Sequence, residues 1–137
     1  MTPIPPLLVV CAALIDADGR VLLTRIPDGK PYAGAWEFPG GKVEPGEAPE
    51  SALIRELEEE LGIATEESCL APLAFGTDTS GGRSLVLLAY ACRKWRGFPA
   101  PREGQTLSWT LPGKLLGHDT PPADKPIAAA VRDLLTG

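Results

Sequence analysis

Four glutamates, Glu56, Glu58, Glu59 and Glu60, crowd the stretch RELEEELG, which opens on Arg55 and ends on Gly62. At about 100° per residue, steps of three and four positions bring Glu56, Glu59 and Glu60 onto one face of a helix, while Glu58 points away. Like charges at that spacing disfavour a helix by about 0.2–0.5 kcal/mol per pair, and acids near its C-terminal end oppose the macrodipole. Helix stability alone does not select them. Clustered carboxylates are what a hard divalent cation such as Mg2+ binds, and the cation cancels their repulsion. Two readings follow, a metal socket or a solvated helix face, and Glu58 is solvated in both.

A helix must carry these side chains. Leu53, Ile54, Leu57 and Leu61 recur at helical spacing, with Pro49 in the first turn and Gly62 as a C-terminal stop, which predicts a helix from about Ala48 to Leu61. Ahead of it PGGKVEPGE brings flexible backbone and Glu47 to the helix start, where carbonyl oxygens can add hard ligands. The wider stretch PDGKPYAGAWEFPGGKVEPGE is so heavily punctuated by Gly and Pro that it reads as one long loop, of the kind that carries function. Leu7 to Ile15 and Arg20 to Ile26 read as strands joined into a hairpin by DADG. Residues around Cys69 to Phe75 and Ser84 to Arg93 read as two more, Leu107 to Thr110 as a short strand, LPGKLL as a helical turn and Ile127 to Leu135 as a closing helix. That order predicts an α/β domain whose sheet lies between helices.

With 137 residues, 44% apolar and 23% charged, the chain suits one domain with a real core. A net charge of -5 with no Lys/Arg run excludes a sequence-independent grip on nucleic acid, so an anionic substrate needs metal or local arginines. The apolar run Leu7 to Ile15 is too short to cross a bilayer and lacks a basic flank, which points to the cytoplasm. Cys11, Cys69 and Cys92 are far apart in apolar surroundings, as reduced core thiols are. His118, the only histidine, lies in a Gly/Asp/Pro-rich loop; a histidine triad or metal cluster is excluded and a surface position expected.

Gly41, five residues, Glu47, seven residues, Arg55-Glu56-Leu57, one residue, Glu59-Glu60, one residue, Gly62-Ile63 resembles the signature of the Nudix hydrolases at every defined position. The resemblance implies a single Nudix domain over residues 1–137, with a mixed sheet sandwiched between helices, and cleavage of a nucleoside diphosphate linked to another moiety with Mg2+ or Mn2+. It assigns metal binding to Glu56, Glu59 and Glu60 with the carbonyl of Gly40, and gives Arg55 the task of orienting Glu56. The water-activating base is Glu56 or, second, Glu59.

AWEFPGGK and RKWRGFPAPREGQTLSW further resemble the MutT type, which removes pyrophosphate from oxidised purine nucleotides such as 8-oxo-dGTP. That likeness makes Glu103 a further metal ligand, the alternative being a surface acid, and makes PPADKP the segment closing over the base with Asp124 reading it. Phe38 is a base-stacking residue or core packing, and Arg83 a substrate contact or a solvated turn residue.

Two positions depart from the pattern. Asp124 stands where the best-known pattern has asparagine, and an ionised aspartate only accepts. It suits the N–H groups of guanine or 8-oxoguanine and equally the N4 amine of cytosine, so a CTP or oxidised-cytosine pyrophosphohydrolase is the alternative. A non-catalytic nucleotide sensor is a third reading, disfavoured by the intact acidic cluster. Ile26 stands where relatives often carry an arginine, and Arg25, one residue earlier, faces the other side of the strand. The expected partner is a small nucleotide, with no nucleic-acid polymer and no membrane, and the protein is a monomer or dimer.

Overall fold

The first strand, β1 (Leu7–Leu14), is apolar throughout because both its edges and both its faces are used. In this computed structural model, which describes residues 4–137, it pairs antiparallel with β4 (Gly40–Lys42) and parallel with β6 (Leu85–Cys92), beyond which lies β5 (Leu70–Asp78). A second sheet places β2 (Val21–Arg25) between β3 (Trp36–Glu37) and β7 (Thr106–Thr110). The two helices are α1 (Pro49–Leu61) and α2 (Asp124–Thr136), with short 3-10 turns at Glu67–Cys69 and Pro112–Gly117.

Alternation along β1 divides the core. Val10, Ala12 and Leu14 face α1 through Ala52, Leu53, Leu57 and Leu61, whereas Cys11 and Ala13 face α2 through Ile127, Ala128 and Val131. The expected layering of sheet between helices therefore holds, but the strands form two sheets rather than one. Leu53, Leu57 and Leu61 are fully buried, each contributing roughly 1.5–3 kcal/mol. That outweighs the repulsion of about 0.2–0.5 kcal/mol per glutamate pair on the other side of the same helix. Pro49 enters the first turn, and Gly62, at φ 72°, ends the helix with its N–H donating to the Glu58 carbonyl at 2.9 Å.

Three expectations are corrected. DADG does form a tight turn, closed by Asp16 Oδ1 accepting the Asp18 and Arg20 N–H groups at 3.0 and 2.8 Å. Yet β1 and β2 are not a hairpin: both edges of β1 are taken, so only an Ile15–Val21 bridge links them before β2 joins the other sheet. The long Gly/Pro segment is not all loop, because β3 and β4 form within it. At Gly40 any β-carbon would strike the Val10 carbonyl oxygen, so glycine there lets β4 lie against β1. Finally, α2 begins at Asp124 rather than Ile127, since Pro126 falls in the first turn, where its missing N–H costs nothing.

Cys11 and Cys92 are buried free thiols, but Cys69 is only half-buried. His118 is half-buried too, its ring tilted against Trp36 with centroids 5.6 Å apart. No helix among the described residues is long and apolar enough to cross a membrane.

Candidate active site

Arg55 organises the exposed side of α1. Its Nε and Nη2 each donate to Glu47 at 2.9 Å in a bidentate pair, Nη1 donates to Glu56 Oε1 at 2.9 Å and to Glu59 Oε2 at 3.4 Å, and Nη2 also reaches the Lys42 carbonyl at 3.1 Å. The guanidinium holds the Glu47 carboxyl down at about 2. It thus ties the loop before the helix to the carboxylates on it.

Glu56 lies directly against Gly41, where a β-carbon would overlap its carboxylate. Burial raises its pKa, and Arg55 opposes that rise. Gly41→Ala is therefore expected to displace Glu56 and lower kcat about 100-fold while leaving the melting temperature nearly unchanged, a split readable from kinetics beside a thermal melt.

One turn on, Glu60 is buried and accepts the Gly40 N–H at 3.1 Å. Burial pushes its pKa up to about 8; the Gly40 N–H opposes this, and Glu37, Glu103 and Glu56 add to it by repulsion. Glu37, on β3, rises to about 7, first through burial, then through Asp124, with Lys30 opposing. Glu37, Glu56, Glu60 and Glu103 line one cavity of about 220 Å³, together with Arg25.

Gln105 fixes the far wall of this cavity. Buried, it donates from Nε2 to the Glu60 carbonyl at 3.1 Å and accepts the Glu103 N–H on Oε1 at 2.9 Å, so the Glu103 loop is pinned to the end of α1.

A second, mainly apolar cavity of about 300 Å³ opens beside the first, walled by Val9, Ile26, Phe38 and Leu87. Asp124 lines it at the start of α2, buried, with Oδ2 accepting the Phe38 N–H at 3.2 Å. Burial raises this carboxyl to about 7 against the opposing Phe38 N–H. Lys30, Glu37, Gly40 and Gly41 line both cavities and so form their junction.

Of the residues expected from sequence, Gly40, Glu56, Glu60 and Glu103 meet in the acidic cavity, and Phe38 and Asp124 in the apolar one. Glu59, with 58% of its side chain exposed, stands outside on Arg55. Arg83 lies apart from both, donating from Nε to the Pro5 carbonyl at 2.9 Å. Strand alternation puts Ile26 in the apolar cavity and Arg25 in the acidic one. Glu37, Gln105 and Lys30 were missed. Glu37 could have been found as the acid two residues before Pro39-Gly40-Gly41, but nothing local marks Gln105.

The donors fit a hard divalent cation by type. Carboxylate and backbone oxygens dominate, and Glu60 is a buried acid with no basic partner among the described residues. No three such side chains among the described residues are gathered about one point, because Arg55 draws Glu56 and Glu59 toward itself.

The NUDIX domain profile matches residues 5–133. The chain belongs to the Nudix family. A CTP pyrophosphohydrolase of Escherichia coli is 40% identical over 88% of both chains, and an 8-oxo-dGTP diphosphatase of the same organism is 34% identical over 87% of this chain and 91% of its own. A solved structure from work on MutT of Aliivibrio salmonicida and Vibrio cholerae superposes with a TM-score of 0.81 at 33% identity, covering 95% of this chain and 99% of that one. The protein is thus a Nudix hydrolase, a nucleotide pyrophosphohydrolase of a family that generally uses a divalent metal.

Proposed function

We propose that this Nudix hydrolase converts nucleoside triphosphates to monophosphate and pyrophosphate with Mg2+, Mn2+ being the substitute, and that 8-oxo-dGTP is its preferred substrate. The reading rests on one observation above all: an apolar cavity holding the Asp124 carboxylate runs into an acidic cavity lined by Glu56, Glu60 and Glu103. A base in the first leaves its phosphates in the second.

A bound divalent cation supplies neutralisation of the phosphate oxygens and a water of lowered pKa. Glu56, Glu59, Glu60, Glu103 and the Gly40 carbonyl are the groups to hold it. Glu56, aimed by Arg55 at 2.9 Å and backed by Gly41, takes the proton from the attacking water; Glu59 is the second candidate. Water oxygen bonds to phosphorus as the bridging P–O bond breaks, and pyrophosphate leaves. Ionised above its raised pKa of about 7, Asp124 keeps one oxygen on the Phe38 N–H and offers the other to base N–H groups, with Phe38 beside the base. Arg83 is the weakest member of the proposed substrate set, since it is engaged with Pro5.

The 40% identical CTP pyrophosphohydrolase favours a second reading, a cytidine nucleotide whose N4 amine meets the same acceptor. We further propose one domain over residues 1–137, acting in the cytoplasm on free nucleotides as a monomer or dimer, without polymer or membrane; its net charge of -5 agrees with a partner held by metal rather than by a basic stripe.

Turnover of 8-oxo-dGTP, dGTP, CTP, 5-hydroxy-dCTP and ADP-ribose with Mg2+ separates these readings. The expected order puts 8-oxo-dGTP first; cytidine preference replaces the purine assignment, and no turnover of any member sinks the proposal. Asp124→Asn is expected to lower kcat/KM for the preferred substrate about 5- to 100-fold, one directional base contact. Unchanged preference would remove Asp124 from base reading.

A further inference from the structure

Between β2 and β3 the chain doubles back in a strap, with the Gly34 N–H donating to the Ile26 carbonyl at 2.9 Å and the Ala33 N–H to the Lys30 carbonyl at 3.1 Å. At its outer end Tyr32 has φ 61°, the left-handed region that a residue with a β-carbon adopts only at a cost. Its hydroxyl donates to Asp78 Oδ2 at 2.9 Å and lies 3.3 Å from Ser80 Oγ, while Asp78 accepts the Ser80 N–H at 2.9 Å and the Ser80 hydroxyl at 2.6 Å. A loop of the three-stranded sheet is thereby latched to the end of β5 in the other sheet, and Tyr32 and Asp78 both line the apolar cavity.

The same strap carries Lys30, whose carbonyl accepts the Ala33 N–H beside Tyr32. Among the described residues it is the one Lys or Arg bordering both cavities, and no acid there lies within ion-pair distance of it. Its charge faces Glu37, which shares the junction, and it works against the other influences on that carboxyl. An anion crossing the junction meets Glu37, Glu56 and Glu60; without a cation there it is repelled. A nucleotide with its base in the apolar cavity and its outer phosphates among the carboxylates must put its first phosphate at this junction.

We infer that Lys30 contacts the phosphate nearest the nucleoside and that Tyr32, anchored to Asp78 and Ser80, is the positioning residue that keeps Lys30 there. The inference rests on the nucleotide reading proposed above. It explains how the position just after β2 can be the apolar Ile26: the cation comes from the strap that follows.

The test uses products, so it needs no turnover. Wild type, Lys30→Ala, Lys30→Arg and Tyr32→Phe are titrated calorimetrically with 8-oxo-dGMP, 8-oxo-deoxyguanosine, CMP and cytidine, with chelator present, at low and high salt. Lys30→Ala is expected to weaken the monophosphates about five- to tenfold, to leave the nucleosides unchanged and to flatten the salt dependence. Lys30→Arg retains most of the affinity, and Tyr32→Phe, which keeps the ring but not the latch, weakens the monophosphates about two- to fourfold. Monophosphate affinity untouched by Lys30→Ala, or lost equally for nucleosides, overturns the Lys30 contact alone, and a Tyr32→Phe variant matching wild type overturns the latch. A wild type that binds none of the four overturns the nucleotide reading and this inference with it.

Discussion

Glu60→Gln is expected to raise the melting temperature of the metal-free protein at pH 8.5 while lowering kcat/KM by about 100-fold or more. The two effects have one cause. Glu60 is buried, with the Gly40 N–H as its side chain's hydrogen-bond donor, and its folded pKa of about 8 stands far above the ordinary 4.5. A carboxyl raised in this way favours the folded state fully below pH 4.5, and that contribution is lost as pH rises through 8. The ceiling of the loss is about 5 kcal/mol, reduced to about 1–3 kcal/mol by water entering the acidic cavity.

Glutamine keeps an oxygen for the Gly40 N–H and carries no charge, so the variant is flat across this window. It is more stable by several degrees at pH 8.5 and little changed near pH 4.5, as melts at both values would show. Millimolar Mg2+ should raise the wild-type melting temperature and shift the variant less, because a ligand stabilises only the state that binds it. Full activity in the variant, or equal response of both proteins to Mg2+, would remove Glu60 from the metal set. The companion change Glu56→Gln, at the proposed base, is expected to cost about 10²- to 10⁴-fold in kcat.

Gly76→Ala should destabilise the fold by about 1–3 kcal/mol and blur discrimination among bases. Gly76 lies on β5 opposite Leu87, and a β-carbon there would strike the Ala123 carbonyl, the residue just before α2. Backbone cannot yield as a flexible side chain can, so the start of α2 must lift. Asp124 is the first residue of that helix, and its bond to the Phe38 N–H lies in the wall of the apolar cavity. The readout is a lower melting temperature together with a narrower spread of kcat/KM across the nucleotide panel. A variant with wild-type melting and wild-type preference would show that α2 does not depend on this close approach.

Much of the acidic face of α1 was legible because it is encoded locally. Glu56 and Glu60 are four residues apart on a helix announced by its own leucines, its Pro49 and its Gly62, so their shared face follows from helical geometry. Gly41 and Glu47 come from the loop that enters the same helix. Glu59 shows where that reasoning thins: it is on the expected face, yet its exposed carboxylate leans on Arg55 and not into the cavity.

The strand pairings were legible only in part. DADG makes the turn it promises, but a turn does not choose a sheet, and the edges of β1 went to β4 and β6. Short strands of two and three residues inside a Gly/Pro segment have no period to detect; they exist because their partners are already in place.

The sequence by itself determined the acidic helix, its ends, its buried leucine face and the family to which the spacing points, all properties of residues within a few turns of one another. Tertiary structure alone decided that Glu37 joins Glu60, that Gln105 pins Glu103, that Asp124 meets Phe38 from 86 positions away and that Tyr32 latches to Asp78 from 46. These contacts join segments whose separation is set by sheet order and by close approach at Gly40 and Gly76, and no local pattern records either.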